Sequence, residues 1–206
     1  MRKLAIIFLT ILGLIASPNY ALGDTAKPGQ SMTHMKTVAG ISATLESVGI
    51  LLYVQGGATA AVIGESLSSA DGQVVFHVPI TGTKSGVEHV GSNIVFFNMA
   101  NNKQVQLKNP IIDLAKGTVS AVIPQGTGQI TTVLQITNGS SLKPTVTNDR
   151  KALIKTTAYK GATLSLAPGI GAALSTLLGL SEGTIPENLA FATADVTLYS
   201  TLKAKK

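Results

Sequence analysis

Three histidines, His34, His77 and His89, are the side chains of this chain best suited to chemistry. His77 and His89 flank a loop running from Thr81 to Gly86. If the flanking segments paired as a hairpin, one register would set the two imidazoles across from each other. A slip of one residue would put them on opposite faces. Even the favourable register leaves a metal site incomplete, because zinc takes three or four converging ligands. Glu88 adjoins His89 but alternates to the other face. Met32, His34 and Met35 group two thioethers with an imidazole, a set that suits Cu(I). Their segment, however, is polar and reads as a leader. The remaining polar residues assemble no catalytic apparatus. No Gly-x-Ser-x-Gly elbow occurs, and Gly169-Ile-Gly171 lacks the rest of a dinucleotide fingerprint. Glu46, Glu65, Asp71, Glu88, Asp113, Glu182 and Glu187 are dispersed along the chain. The absence of cysteine excludes a thiol nucleophile, a lipidated cysteine and any Cys-based zinc or iron–sulfur site.

Most of the segments that must position these side chains are strands. After Asp71-Gly72, a turn signal, Val74, Phe76, Val78 and Ile80 alternate with Gln73, Val75, His77 and Pro79. Val105 and Leu107 alternate with Gln104, Gln106 and Lys108, the pattern of a half-buried strand. Ile50–Gln55, Val87–Asn98, Ile111–Leu114, Thr118–Ile123, Ile130–Thr137, Ala162–Leu166 and Ala192–Leu202 read as further strand regions. Gly91 is a candidate bulge, and Pro110 is expected to break the ladder. Ala58–Ser69 is ambiguous, and Leu142–Arg150 has no strong period. Two short helices are expected. One covers Ile41–Val48 and stops at Gly49; the other opens at Pro168-Gly169, carries Ile170, Leu174, Leu177 and Leu178 on one face, and stops at Gly179. The expected fold is all-β: a sandwich or open barrel of about eight mostly antiparallel strands with two short helices. The last strand would pair with an earlier one and tie the ends of the chain together.

The N-terminus reads as a secretory signal. Arg2 and Lys3 precede an apolar run from Leu4 to Ala16, and Ala21-Leu22-Gly23 offers small residues for cleavage after Gly23. The run is too short to span a bilayer, which takes about 20 helical residues. The expected organisation is a signal peptide at 1–23, a flexible leader at 24–36, one β-rich domain at 37–202 and a basic tail at 203–206. Such a protein would be secreted, periplasmic or held at the cell surface. A transmembrane barrel fits poorly, because its strands need about 10 alternating residues and aromatic girdles. Aromatic residues are only 4% of this chain and Trp is absent. The formal net charge is +6, from 16 Lys+Arg against 10 Asp+Glu. Lys143, Arg150, Lys151 and Lys155 cluster in one polar stretch, with Lys203, Lys205 and Lys206 at the end. Nucleic-acid stacking needs aromatics among the cations, and only Tyr159 is near, so these read as solvated loop and tail charge.

Four consecutive motifs carry a family resemblance. They are Phe76-His-Val-Pro-Ile-Thr-Gly82, Gly86-Val-Glu-His89-Val-Gly-Ser-Asn-Ile-Val, Val105-Gln-Leu-Lys-Asn-Pro110-Ile-Ile-Asp113 and Gly117-Thr-Val-Ser-Ala-Val122. In this order Val75–Val122 resembles the HtaA-like domain of bacterial secreted and surface proteins. Leu164–Leu202, a Leu-rich helix, a Gly and a strand, resembles that domain's close. Some members bind haem with His and Tyr. His89 is the one histidine that falls on the family's histidine position, and Tyr53, Tyr159 and Tyr199 are the tyrosines from which a partner would come. The candidate ligand-binding residues are therefore His89, His77 and Tyr53.

These readings lead to an exported bacterial β-domain that binds a protein or small molecule, or builds surface structure, without catalysis. Self-association through an exposed edge strand is one route. Haem capture in iron acquisition is the alternative that the resemblance implies. An uncharacterised hydrolase is the third reading.

Overall fold

The computed structural model describes residues 30–64 and 72–202. The expected signal segment, the leader up to residue 29, the Asp71 side of the first turn and the basic tail 203–206 lie outside them. Among the described residues twelve strands form one sheet in which every pairing is antiparallel. In chain order they begin with β1 (Met32–Thr37), β2 (Ile50–Gly56), β3 (Thr59–Ile63) and β4 (Gln73–Pro79). Next come β5 (Val87–Glu88), β6 (Ser92–Asn98), β7 (Gln104–Asp113) and β8 (Thr118–Val122). The last four are β9 (Ile130–Ile136), β10 (Thr145–Asp149), β11 (Ile154–Leu166) and β12 (Ala190–Thr201). The spatial order is β2-β6-β7-β8-β9-β11-β12-β1-β4-β3, with β10 added to β11 and β5 to β7.

The sheet curls into a nearly closed barrel. Its two edge strands, β2 and β3, follow each other in the chain, yet no ladder joins them. Period-two alternation fixes what points inward. Val74, Phe76 and Val78 of β4 are buried, as are Val105 and Leu107 of β7, while their neighbours along each strand are more exposed. Phe96 and Phe191 meet in the core with ring centroids 5.9 Å apart.

Both expected helices are present. α1 (Ile41–Ser47) buries Ile41 and Leu45, and α2 (Ile170–Leu178) buries Ile170, Leu174 and Leu178. The ends of α2 are tied down by side chains, which satisfies backbone groups that a helix leaves unpaired. Glu187 accepts from the Gly169 and Ala172 amides at 2.7 Å each. At the other end the Asn98 and Asn101 amides donate to the Leu178 carbonyl at 2.9 Å each. Among the described residues no helix is long and apolar enough to cross a membrane.

Several expectations need correction. Met32–Thr37, expected within or beside a flexible leader, is an internal strand between β12 and β4. Among the described residues strands number twelve, where about eight were expected. β1, β3 and β10 supply three of the extra ones, and the segment Val87–Asn98 is two strands divided by a turn at His89–Gly91. Gly91 is part of that turn, at φ +83, where its carbonyl accepts from the Gly57 amide at 2.9 Å. Pro110 does not end its strand. β7 runs through it because the β7–β8 register shifts between Lys108 and Ile111, and such an irregularity spares the ladder a donor that proline lacks. The basic residues Lys143, Arg150, Lys151 and Lys155 are exposed on or beside the β10–β11 hairpin, as solvated charge.

The turn at Gly56 locks the β2–β3 corner onto the β5–β6 turn. Gly56 has φ +75, and a Cβ there would overlap the Gly91 carbonyl. Gly56→Ala is therefore expected to cost at least about 1–3 kcal/mol from backbone strain alone. Urea unfolding should show a lower midpoint with an unchanged slope.

Candidate functional site

β1 organises the polar side chains because its two faces do different work. Thr33, Met35 and Thr37 point into the core and are buried, whereas Met32, His34 and Lys36 point outward. On the inner face the Thr33 hydroxyl meets His89 Nε2 at 2.8 Å. His89 follows β5, is 2% exposed, and places Nδ1 3.0 Å from the Pro110 carbonyl. A carbonyl only accepts, so Nδ1 carries the proton; the neutral ring then accepts at Nε2 from the Thr33 hydroxyl. The His89 amide also donates to the Pro110 carbonyl, at 3.0 Å. Burial pushes the imidazole pKa down, against a smaller upward pull from its bond to Pro110. His89 thus pins β1 to the irregular middle of β7 across the interior.

A cavity of about 30 Å³ adjoins this histidine, lined by apolar side chains including Met35, Leu107 and Leu134. It is the size of about one water molecule and far below the several hundred Å³ of a small-molecule pocket. A haem iron at His89 would have to displace Thr33 or Pro110 from a ring nitrogen, inside a packed core.

On the outer face of β1, His34 stands directly across from His77 of β4 in the ladder. The rings meet edge to face, with centroids 4.6 Å apart and planes at 84°. Both side chains are half-buried. The pKa of His77 is lowered, first by burial and then by the proximity of His34. His77 and His89 therefore do not face each other across a hairpin in either register considered. β4 pairs with β1 and β3, and β5 pairs with β7, so the two imidazoles belong to opposite sides of the barrel wall.

Tyr53 lies elsewhere again, on the outer face of β2. Its hydroxyl donates to Gln104 Oε1 at 3.0 Å and receives the Gln55 amide at 3.5 Å. Gln55 in turn accepts from Gln106 at 3.3 Å. The register sets Val95 between Tyr53 and Gln106, and Val95 is fully buried although its neighbours Ile94 and Phe96 point to the core. The tyrosine and glutamines form a polar roof over it. Burial raises the Tyr53 pKa, with Gln55 opposing. Nearby, Asn93 Oδ1 is buried without a hydrogen-bond partner among the described residues.

His89, His77 and Tyr53 thus occupy three separate environments: core, one outer face and another. Sequence reasoning missed the partner that matters for each histidine, because both partners lie in β1. The signal was present in Met32–Thr37, where Thr33, Met35 and Thr37 alternate with Met32, His34 and Lys36. Among the described residues no group of three or more His, Cys, Asp or Glu side chains converges as a metal site.

The fold and these sites define a class, an antiparallel all-β barrel-like domain with a filled interior. Searches against protein-family models, curated proteins and solved structures find no match to this chain.

Proposed function

We propose that this chain is an exported bacterial β-module that acts by binding or by building surface structure, through its outside and without catalysis. The observation that supports this reading is the open edge at β3. Val62 and Ile63 stand 49% and 40% exposed at the end of a strand that, among the described residues, pairs on one side only. An unpaired edge with apolar side chains is a template for strand addition. The packed interior beside His89 points the same way, since it offers no chamber for a ligand. Export rests on the residue pattern of positions 1–23. The relation to HtaA-like domains rests on the four motifs, which fall on β4, β5–β6, β7 and β8. Haem capture draws no support from a histidine whose two ring nitrogens are both engaged.

The occupant that fits the edge is another strand, and a second copy of this chain is the simplest source. Sedimentation velocity across a hundredfold concentration range tests it. The expected result is concentration-dependent association that Val62→Lys reduces, since a charge on an edge strand opposes pairing. A strict monomer throughout, or association unaffected by that change, overturns edge-mediated assembly.

A further inference from the structure

We propose that His34 and His77 form a two-imidazole site on the outer sheet face for a divalent cation that prefers nitrogen ligands, Cu²⁺ or Ni²⁺. The proposal does not depend on the edge-strand reading, because the pair lies in the ladder between β1 and β4. Three observations carry it. The residues are direct cross-strand partners, so the backbone holds their Cβ atoms close. Their rings already touch, with centroids 4.6 Å apart. Both are half-buried on rigid strands, which limits the ordering a metal must impose. A metal about 2.0–2.1 Å from one nitrogen of each ring leaves the ring centroids about 4.5–5 Å apart at bond angles from square to tetrahedral. The observed spacing sits at the square end of that range. The edge-to-face arrangement needs one ring to turn about its Cβ–Cγ bond so that both lone pairs converge.

Two nitrogen ligands at a near-square angle, with water completing the shell, suit a tetragonal ion, and imidazole sites favour Cu²⁺ over Ni²⁺ and Ni²⁺ over earlier ions. The charged neighbours are few. On β12, Asp195 is the register partner of His34, and its carboxylate accepts from the Gly161 amide at 2.8 Å. On β1, Lys36 lies one outward position along from His34. On β3, the register partner of His77 is the uncharged Thr59. Met35 takes no part because it points into the core and is 5% exposed.

Calorimetric titration of the full chain with NiCl₂, and with CuCl₂ buffered by glycine, at pH 7.5 tests the site. The expected result is one saturable ion per chain, with affinity lowered at least about tenfold in both His34→Gln and His77→Gln. Copper spectra should show nitrogen hyperfine structure from two imidazoles. Binding should weaken as the pH is lowered, because protons compete with the metal for imidazole nitrogen, while the far-UV circular dichroism persists. Matching far-UV spectra and thermal midpoints for the variants show that they are folded. Absence of saturable binding overturns the proposal, as does binding that survives either substitution.

Discussion

Excising Met32–Thr37 is expected to leave a chain that does not fold. β1 is a six-residue strand, but it is the hinge of the sheet. It pairs along its whole length with β12 and along five residues with β4, so its loss unpairs both neighbours and opens the barrel wall. Met35, buried at 5% exposure, contributes about 1.5–3 kcal/mol by burial alone. The Thr37 hydroxyl accepts from the Val74 amide at 2.9 Å, and its carbonyl accepts from Gln73 at 2.7 Å. Thr33 satisfies buried His89. Each buried group orphaned in this way costs about 1–3 kcal/mol. Their sum is of the same order as the roughly 5–15 kcal/mol that separates folded from unfolded domains. The truncated chain should lose its cooperative thermal transition and its native far-UV spectrum. A cooperative transition at the full chain's midpoint would show β1 to be the dispensable leader that its composition suggests.

The contrast between β1 and the other strands explains what was legible in the sequence. β4 and β7 could be read because their inward positions are all large and apolar, Val74, Phe76 and Val78 in one and Val105 and Leu107 in the other. In β1 two of the three inward positions are Thr33 and Thr37, whose burial is permitted by hydrogen bonds to His89 and to β4. Hydropathy does not register such positions as core. β10 escaped for the opposite reason: all five of its residues are exposed, so no face is apolar. The helices could be read because Gly49 and Gly179 mark their ends and Ile170, Leu174 and Leu178 share one face. The candidate site was the least legible part. His89, His77 and Tyr53 were each visible as residue types, but their partners come from ladders closed over long sequence separations, His89 to Thr33 and Tyr53 to Gln104. A local pattern carries no record of which distant strand lies next door. The motif resemblance pointed to His89 as a ligand, whereas its bonds to Thr33 and Pro110 make it a structural clasp.

That role gives the second large effect. His89→Ala is expected to destabilise the domain by about 3–5 kcal/mol, from the orphaned Thr33 hydroxyl together with the cavity left by the ring; the Pro110 carbonyl keeps its bond from the backbone amide of residue 89. For a chain of this size that lowers the thermal midpoint by about 6–20 °C. His89→Gln, which can present one donor and one acceptor, should recover part of the loss; a ligand role would not predict that recovery in the absence of any ligand. The pH dependence separates the roles further. The pKa of buried His89 lies below its unfolded value of about 6.5. Below that pH the unfolded chain binds a proton that the native state resists, so stability rises with pH and is complete above about 6.5. It is lost progressively as pH falls from there towards the folded pKa. His77, also lowered, adds a smaller loss in the same direction, reduced by its exposure to solvent. Urea unfolding at pH 7.5 and 5.5 should therefore show the native chain weakened by acid, and His89→Gln weakened less by the same step. Equal acid sensitivity in the two proteins would mean that the ring is not held neutral between Thr33 and Pro110, and the clasp across the interior would have to be abandoned.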